Sequence, residues 1–340
     1  MKKTLIALAV LGATAGIAQA QSSVTIYGIA DVGFVKASHT ATYMDENVNN
    51  RIGFMGSEDL GGGLKATFQL EHRFDLFNGA QRGAMFDGAS NIGLAGSFGQ
   101  VRVGRVNQLS TETYRTLDPF YQYGVAGMEV SELRTARMSN TIRYDSANFS
   151  GFKLGASYSM KAATTDNSPW GVVESSNAGY AVSATYTNGP AFLVANYDKR
   201  AGLDNSYLWN VGGAYTFGPL KVALGYEHTK LTADYRTNNN NDVPTYIFAD
   251  GATQRGWLVG AEYTIGAGRI NAAYSQVKFG DNLDNGDSYI NKATKYALGY
   301  THNLSKRTSV YANYAHEKLV DAFDDSTSIN AVQVGMTHKF

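Results

Sequence analysis

The chain has 340 residues, and 29 Lys plus Arg balance 29 Asp plus Glu. That neutrality argues against nucleic acid as a general partner, and the lack of cysteine excludes thiol catalysis, disulfides and Cys-based metal sites. With 22 Tyr, 16 Phe and 37 Gly but only 5 Pro, the composition suits a β protein that is wet on one face.

The first twenty residues stand apart. Lys2 and Lys3 precede a mostly apolar run from Thr4 to Ile17, and Ala18-Gln19-Ala20 offers a small-x-small cleavage site. This pattern predicts a secretory signal peptide over residues 1–20 and one domain over 21–340. The exported chain then holds 27 basic and 29 acidic residues, a net charge of −2. No later stretch reaches the roughly 18 consecutive apolar residues of a transmembrane helix.

From Ser23 onward the chain alternates. Val24, Ile26, Gly28, Ala30, Val32 and Phe34 share one face, with Thr25, Tyr27, Ile29 and Asp31 on the other. Residues 51–57 and 65–73 repeat the pattern, with Ile52 and Phe54 against Arg51, then Phe68 and Leu70 against Lys65, Glu71 and Arg73. A period of two with one apolar face is the signal of a half-buried strand. It returns at 140–144, 153–158, 180–187, 209–217, 221–227, 257–265, 295–301 and 310–317, and in a last strand over Ile329–Phe340. Only 191–198 is ambiguous, because Phe192 and Val194 compete with Leu193, Ala195 and Tyr197.

The connections alternate strictly. Short turns at Gly61–Gly63, Ser97–Gly99, Ser150-Gly151, Asn188–Pro190, Gly218-Pro219, Gly266–Gly268 and Ser305–Arg307 supply tight-turn chemistry. Longer polar loops fall near 38–49, 75–85, 109–137, 161–177, 199–206, 231–253, 280–291 and 318–328. Fifteen connections give sixteen strands, with every long loop at one end and both termini at the other. A soluble sandwich has no reason to segregate its loops. An outer-membrane barrel has an even strand number, short turns on one side and long loops on the other. Such closure also satisfies all backbone hydrogen bonds inside a bilayer. Trp209, Phe217, Tyr226, Trp257 and Tyr263 lie near strand ends on the apolar face, where aromatic girdles meet a membrane interface. The fold class is therefore read as an all-β, 16-stranded antiparallel transmembrane barrel, which at this size leaves an aqueous interior.

The signal peptide, the opening SSVTIYGIADVGF, the RIGFMGSEDLGGGLKA stretch, the GLAGSFGQVRVGR run and a terminal aromatic together resemble the general diffusion porins of Gram-negative outer membranes, in the branch typical of β-proteobacteria. The resemblance covers the whole exported chain. It implies an outer-membrane location and a homotrimer. It also implies passive diffusion of ions and small hydrophilic solutes, and recognition of Phe340 by the outer-membrane assembly machinery. Outer-membrane lipid and lipopolysaccharide are the expected surroundings. Porins of this kind fold their third external loop into the barrel, and here the third loop is 109–137.

That loop holds Tyr114, Phe120, Tyr121 and Tyr123, and the acids Glu112, Asp118, Glu129 and Glu132. A long insertion of this sort is usually functional. The acids are expected at the constriction, facing a basic wall of Arg51, Arg73, Arg102 and Arg143. Opposed charges would give a transverse field and a weak ion preference, or structural ion pairs that tie the loop to the wall. Arg105 shares parity with Val101 and Val103, so it belongs to a bulge or the strand–loop junction. Where enterobacterial relatives carry Pro-Glu-Phe-Gly, this chain reads Leu117-Asp118-Pro119-Phe120. The alternation puts Asp31, Lys65, Lys153, Lys221, Glu227, Glu262 and Lys295 on the wet face as well.

Enzyme signatures are absent: there is no Gly-x-Ser-x-Gly and no His-Glu-x-x-His. Residues 281–287 imitate a calcium loop but place Leu283 at a ligand position and Lys292 at the expected Glu. Neither a metal nor a cofactor is expected. The alternatives are a substrate-specific channel, and a barrel acting mainly as an adhesin or receptor.

Overall fold

The structure, a computed structural model, describes residues 23–128, 137–160, 177–201, 206–230, 253–280, 290–321 and 323–340. The signal peptide expected over residues 1–20 lies outside them. The strands are β1 (Ser23–Ala37), β2 (Tyr43–Asp45), β3 (Arg51–Gly61), β4 (Leu64–Arg73), β5 (Ala89–Gly96), β6 (Gly99–Asn107), β7 (Arg137–Ser146) and β8 (Phe152–Ser159). Then follow β9 (Gly179–Asn188), β10 (Ala191–Lys199), β11 (Tyr207–Phe217), β12 (Leu220–Lys230), β13 (Thr253–Ile265), β14 (Gly268–Phe279), β15 (Ile290–Asn303), β16 (Thr308–Asp321) and β17 (Ser326–Lys339). One short helix, α1 (Leu109–Tyr114), runs into a 3₁₀ turn at Arg115–Leu117.

Sixteen long strands form one closed antiparallel barrel. Each pairs with its sequence neighbour, and β1 meets β17 in register from Ile29↔Lys339 to Ala37↔Ala331. At the seam, the Gly28 and Phe340 backbones exchange hydrogen bonds of 3.0 and 3.2 Å. Closure leaves no edge strand to aggregate. The seven short turns expected from the sequence all join successive strands.

Two differences from the expected strands have local causes. Residues 43–45, expected within a loop, form β2, which pairs with the outer part of β1 (Gly33↔Asp45) while β3 pairs with its inner part. The last loop is also shorter than 318–328, because the β16–β17 ladder continues to Val320↔Ser326. Asp321 closes it by accepting the backbone N–H groups of Phe323 and Asp325, each at 2.9 Å. Beyond the membrane zone a strand needs no apolar alternation, so the periodicity signal stops before the strand does.

The two faces differ as the alternation requires. Large apolar side chains on one face are open to the surroundings, among them Val24, Ile92, Val182, Leu224, Leu298 and Val334. A continuous apolar exterior of this kind is a membrane-facing surface, not that of a soluble monomer. The other face carries buried polar residues, including Asp31, Glu71, Arg143, Asn210, Glu227 and Gln333. In the ambiguous strand, Leu193 is exposed and Val194 buried, so Leu193, Ala195 and Tyr197 point outward. The β6–β7 register slips between Gly104 and Val106, which puts Arg105 at a bulge, with Gly104 at φ +128°.

Candidate functional site

Residues 109–128 lie against inner-face positions of the barrel wall. Leu109, Tyr114, Leu117, Phe120, Ala126 and Met128 are buried. The wall beneath them is built of small residues: Ala214, Ala223, Ala273, Ala297 and Ala315 belong to the same apolar cluster. Glycines complete the seat. A Cβ on Gly225 would lie 2.6 Å from the Tyr114 hydroxyl, and one on Gly260 would lie 2.6 Å from Pro119 Cδ. Leu117 packs on Gly212, and Phe120 lies near Gly299. Side chains of ordinary size at these positions on β11–β16 would hold the segment off the wall.

The loop acids fall into three groups. Glu112 forms an ion pair with Arg143 at 2.5 Å, and Arg143 also holds Asp145 at 2.6 Å. Asp118 has no exposed surface. Its carboxylate accepts the backbone N–H groups of Phe120, Gln122 and Met128 at 2.8–2.9 Å. It organises the segment from within. Glu129 and Glu132 lie outside the described residues.

The four wall arginines separate into two pairs. Arg102 and Arg143 share Asp145. Arg51 and Arg73 sit opposite each other on β3 and β4 and share Glu71, Arg73 at 2.7 Å and Arg51 at 3.9 Å. Arg137 approaches the same carboxylate at 3.9 Å. One acid thus faces three guanidinium groups.

Arg115 was not singled out by its sequence pattern, and Tyr123 counted only as one of the loop's aromatics. The Arg115 guanidinium lies 5.4 Å from the centre of the Tyr123 ring and donates to the Tyr123 hydroxyl at 2.8 Å. Among the described residues Arg115 has no carboxylate partner. Burial pushes the Tyr123 phenol up, but Arg115, Arg51 and Arg73 outweigh that and hold it below the ordinary 10.0.

A second segment joins them. Asp31, with no exposed surface, accepts the Asn47 backbone N–H at 2.6 Å and the Tyr311 hydroxyl at 2.9 Å, and Thr337 donates to its other oxygen. Glu46 accepts the Asn50 backbone N–H and side-chain amide, both at 2.7 Å. Residues 46–50 are thereby pinned to the inner face, and Gly124 packs on Asn47.

Two cavities adjoin these groups. One of about 570 Å³ opens among loop residues Glu46, Arg82 and Arg137; the other, about 630 Å³, reaches Gly266, Asn303 and Lys339 at the short-turn end. Asn47, Arg115 and Tyr123 line both, so the two spaces meet at these side chains. Among the described residues no cluster of His, Asp and Glu is arranged to hold a metal.

The terminal Phe340 is 44% exposed and lies against Gly28 at the barrel seam.

The sequence matches the family model for Gram-negative porins over residues 7–322. An outer membrane porin protein of Bordetella pertussis is 33% identical, with all of both chains covered. Outer membrane porin protein 32 of Delftia acidovorans is 32% identical over the same full extent. Among solved structures, an anion-selective porin from Comamonas acidovorans superimposes with a TM-score of 0.73 at 27% identity, covering 94% of this chain and all of that one.

Proposed function

The chain belongs to the Gram-negative porin family and is an outer-membrane channel for passive diffusion; from that premise we propose that residues 109–128 narrow its pore and that the passage favours small anions. The observation that carries this reading is Arg115. Among the described residues it is a guanidinium without a carboxylate partner, at the meeting point of two cavities that open toward opposite ends of the barrel. Arg51, Arg73 and Arg137 add positive charge nearby, and all three approach the carboxylate of Glu71. Rings of cationic side chains select anions. The similar porin from Comamonas acidovorans is described as anion-selective, which agrees in sign.

Arg102, Arg143, Glu112 and Asp145 act as a structural tie between segment and wall, and Arg51 and Arg73 act on the permeating ion. Solutes pass without chemical change, so the protein is not an enzyme. Three copies assemble into a trimer, and the assembly machinery reads Phe340. Phosphorylated outer-leaflet lipid, including lipopolysaccharide, surrounds the external half.

The test is the reversal potential of the purified protein in planar bilayers across a potassium chloride gradient. The expected sign is that of chloride preference. The preference weakens between about 0.15 M and 1 M salt, as the screening length falls from about 8 to 3 Å. Arg115→Gln reduces it. A cation-selective potential, or a preference indifferent to both salt and Arg115, refutes charge-based selection at this place.

A further inference from the structure

The inner wall of β1 and β3–β6 holds a further hollow of about 370 Å³, away from the seat of residues 109–128 on β11–β16. Its size falls within the usual range of small-molecule sites, about 300–1,000 Å³. The strand register builds it in two rows. Thr25, Met55, Gln69 and Asn91 stand side by side across β1, β3, β4 and β5. Ser57, Thr67, Gly93 and Arg102 form the next row, across β3 to β6. Met55 lies nearer the short-turn end of β3 than Arg51 does, by about 13 Å along the strand. A solute entering from the loop end therefore reaches the hollow after the arginine cluster.

Neutral polar groups dominate this wall. Gln69 donates its amide N–H to the Tyr27 hydroxyl at 2.7 Å, Gln100 to the Thr67 hydroxyl at 3.1 Å, and Asn91 to the Arg105 carbonyl at 3.3 Å. Each bond fixes the amide and commits its N–H side. The three amide oxygens and the Thr25 hydroxyl have no protein partner among the described residues. Gly93 leaves the gap between them: a Cβ there would lie 3.0 Å from both Thr67 Oγ1 and Arg102 Cγ. Met55, 40% exposed, adds an apolar thioether to a face that otherwise meets water. Wetting a pore wall does not require amides held in place around a gap, nor a thioether beside them.

We propose that this hollow is a subsite for a neutral polyhydroxylated solute, a small sugar or polyol. Charge decides against the alternatives. Among the described residues no carboxylate lines the hollow, and its one cation, Arg102, is committed to Asp145 at 2.7 Å. An anion finds no free positive group there, and a cation meets Arg102. The unspent amide oxygens call for a ligand that donates, and the hydroxyls of Thr25, Ser57 and Thr67 suit one that also accepts. Hydroxyl groups do both. Same-face positions stand about 4.8 Å apart across strands and about 7 Å apart along them. Hydroxyls around one sugar ring thus reach both rows while a C–H face of the ring covers Met55. The inference rests on the water-filled barrel and not on its preference for anions. It gives the channel a second basis of selection, independent of charge.

The probe is glucose, titrated against the full purified protein in a neutral detergent and read by saturation-transfer NMR. Tetraethylene glycol, a chain of ether acceptors with hydroxyls only at its ends, is the control. Thr67→Val and Gln100→Leu are combined in one variant. These two side chains bond to each other, so removing both leaves no orphaned partner. The expected result is saturable transfer to glucose, which half-saturates at roughly a tenth of the glycol concentration. Glucose binds roughly tenfold more weakly to the variant, the loss of two neutral hydrogen bonds. Glucose binding no tighter than the glycol, or unchanged in the variant, overturns the proposal. If the double variant fails to fold, Thr67→Val alone, which keeps the shape of the side chain, must still weaken glucose several-fold. Neither residue pairs with a charged group, so the reversal potential of the variant stays at the wild-type value. A channel that prefers cations yet binds glucose saturably refutes the anion reading and upholds this one.

Discussion

Gly260→Ala tests the seat of residues 109–128 with a single methyl group. Gly260 lies at the inner face of β13, beneath the turn that follows the 3₁₀ segment. The added Cβ would meet Pro119 Cδ at 2.6 Å, Pro119 Cγ at 2.9 Å and the Leu117 carbonyl oxygen at 2.8 Å. Carbon contacts settle near 3.5–4.0 Å, so the segment must retreat by about 1 Å. Neither a proline ring nor a backbone carbonyl can step aside by changing rotamer. Overpacking of this kind costs about 1–3 kcal/mol. That is too little to release a segment whose Leu109, Tyr114 and Leu117 stay buried elsewhere, so the segment shifts away from its wall and toward the open pore. Single-channel conductance in planar bilayers is therefore expected to fall. Gly260→Leu, which the seat cannot hold at all, is expected to do the reverse: it displaces the segment, raises conductance and increases current noise. Gly256→Ala serves as the control, because its nearest neighbour would be at 3.4 Å, an ordinary contact. Its conductance should match the wild type. If Gly260→Ala conducts like Gly256→Ala, the segment does not border the passage and the reasoning fails.

Three further outcomes are expected. Asp31→Ala leaves the Asn47 N–H and the Tyr311 and Thr337 hydroxyls without their acceptor, at about 1–3 kcal/mol for each buried group left unpaired; residues 46–50 loosen, and the open-channel current becomes noisier while the barrel stays resistant to detergent unfolding. Arg143→Gln uncovers Glu112 and Asp145 together and should lower the thermal unfolding midpoint more than Glu112→Gln does. The first removes both ion pairs, to carboxylates that are 41% and 30% exposed, and the second removes only one of them, at about 0.5–1.5 kcal/mol for each bond lost. Tyr123 titrates below 10.0, so as pH rises toward that value the meeting point gains a negative charge and anion preference falls. Tyr123→Phe should abolish that alkaline decline in the reversal potential, and a decline of equal size in the variant would assign it to another group.

The barrel itself was legible because its physics is periodic. Alternation sorted Val24 from Thr25 and Leu224 from Lys221, and glycine-bearing turns counted the strands. The site was legible only in outline, since the features that build it are not periodic. The segment was visible as an interruption, but Asp118 reads like any other acid until its three backbone N–H donors are seen. Asp31 likewise counted as one more charge on the wet face, although its role is to dock residues 46–50. Such partners come from distant strands: Tyr311 lies 280 positions from Asp31.

One signal for the seat was present all along. On the wet face of β11 the sequence reads Asn210, Gly212, Ala214, Thr216, and Gly225 and Ala223 lie beside them on β12. Water requires polar groups from a pore wall but does not require small ones. Glycine in a strand loses conformational entropy and packs nothing, so it weakens the ladder unless another backbone or ligand approaches closely. A patch of Gly and Ala on the wet side of adjacent strands therefore marks where something other than water lies. In this chain that patch supports the very residues whose neighbour, Arg115, we propose meets the permeating ion. Charge at the passage thus depends on wall positions that carry no charge at all, and substitution at a glycine should tune ion flow as surely as substitution at an arginine.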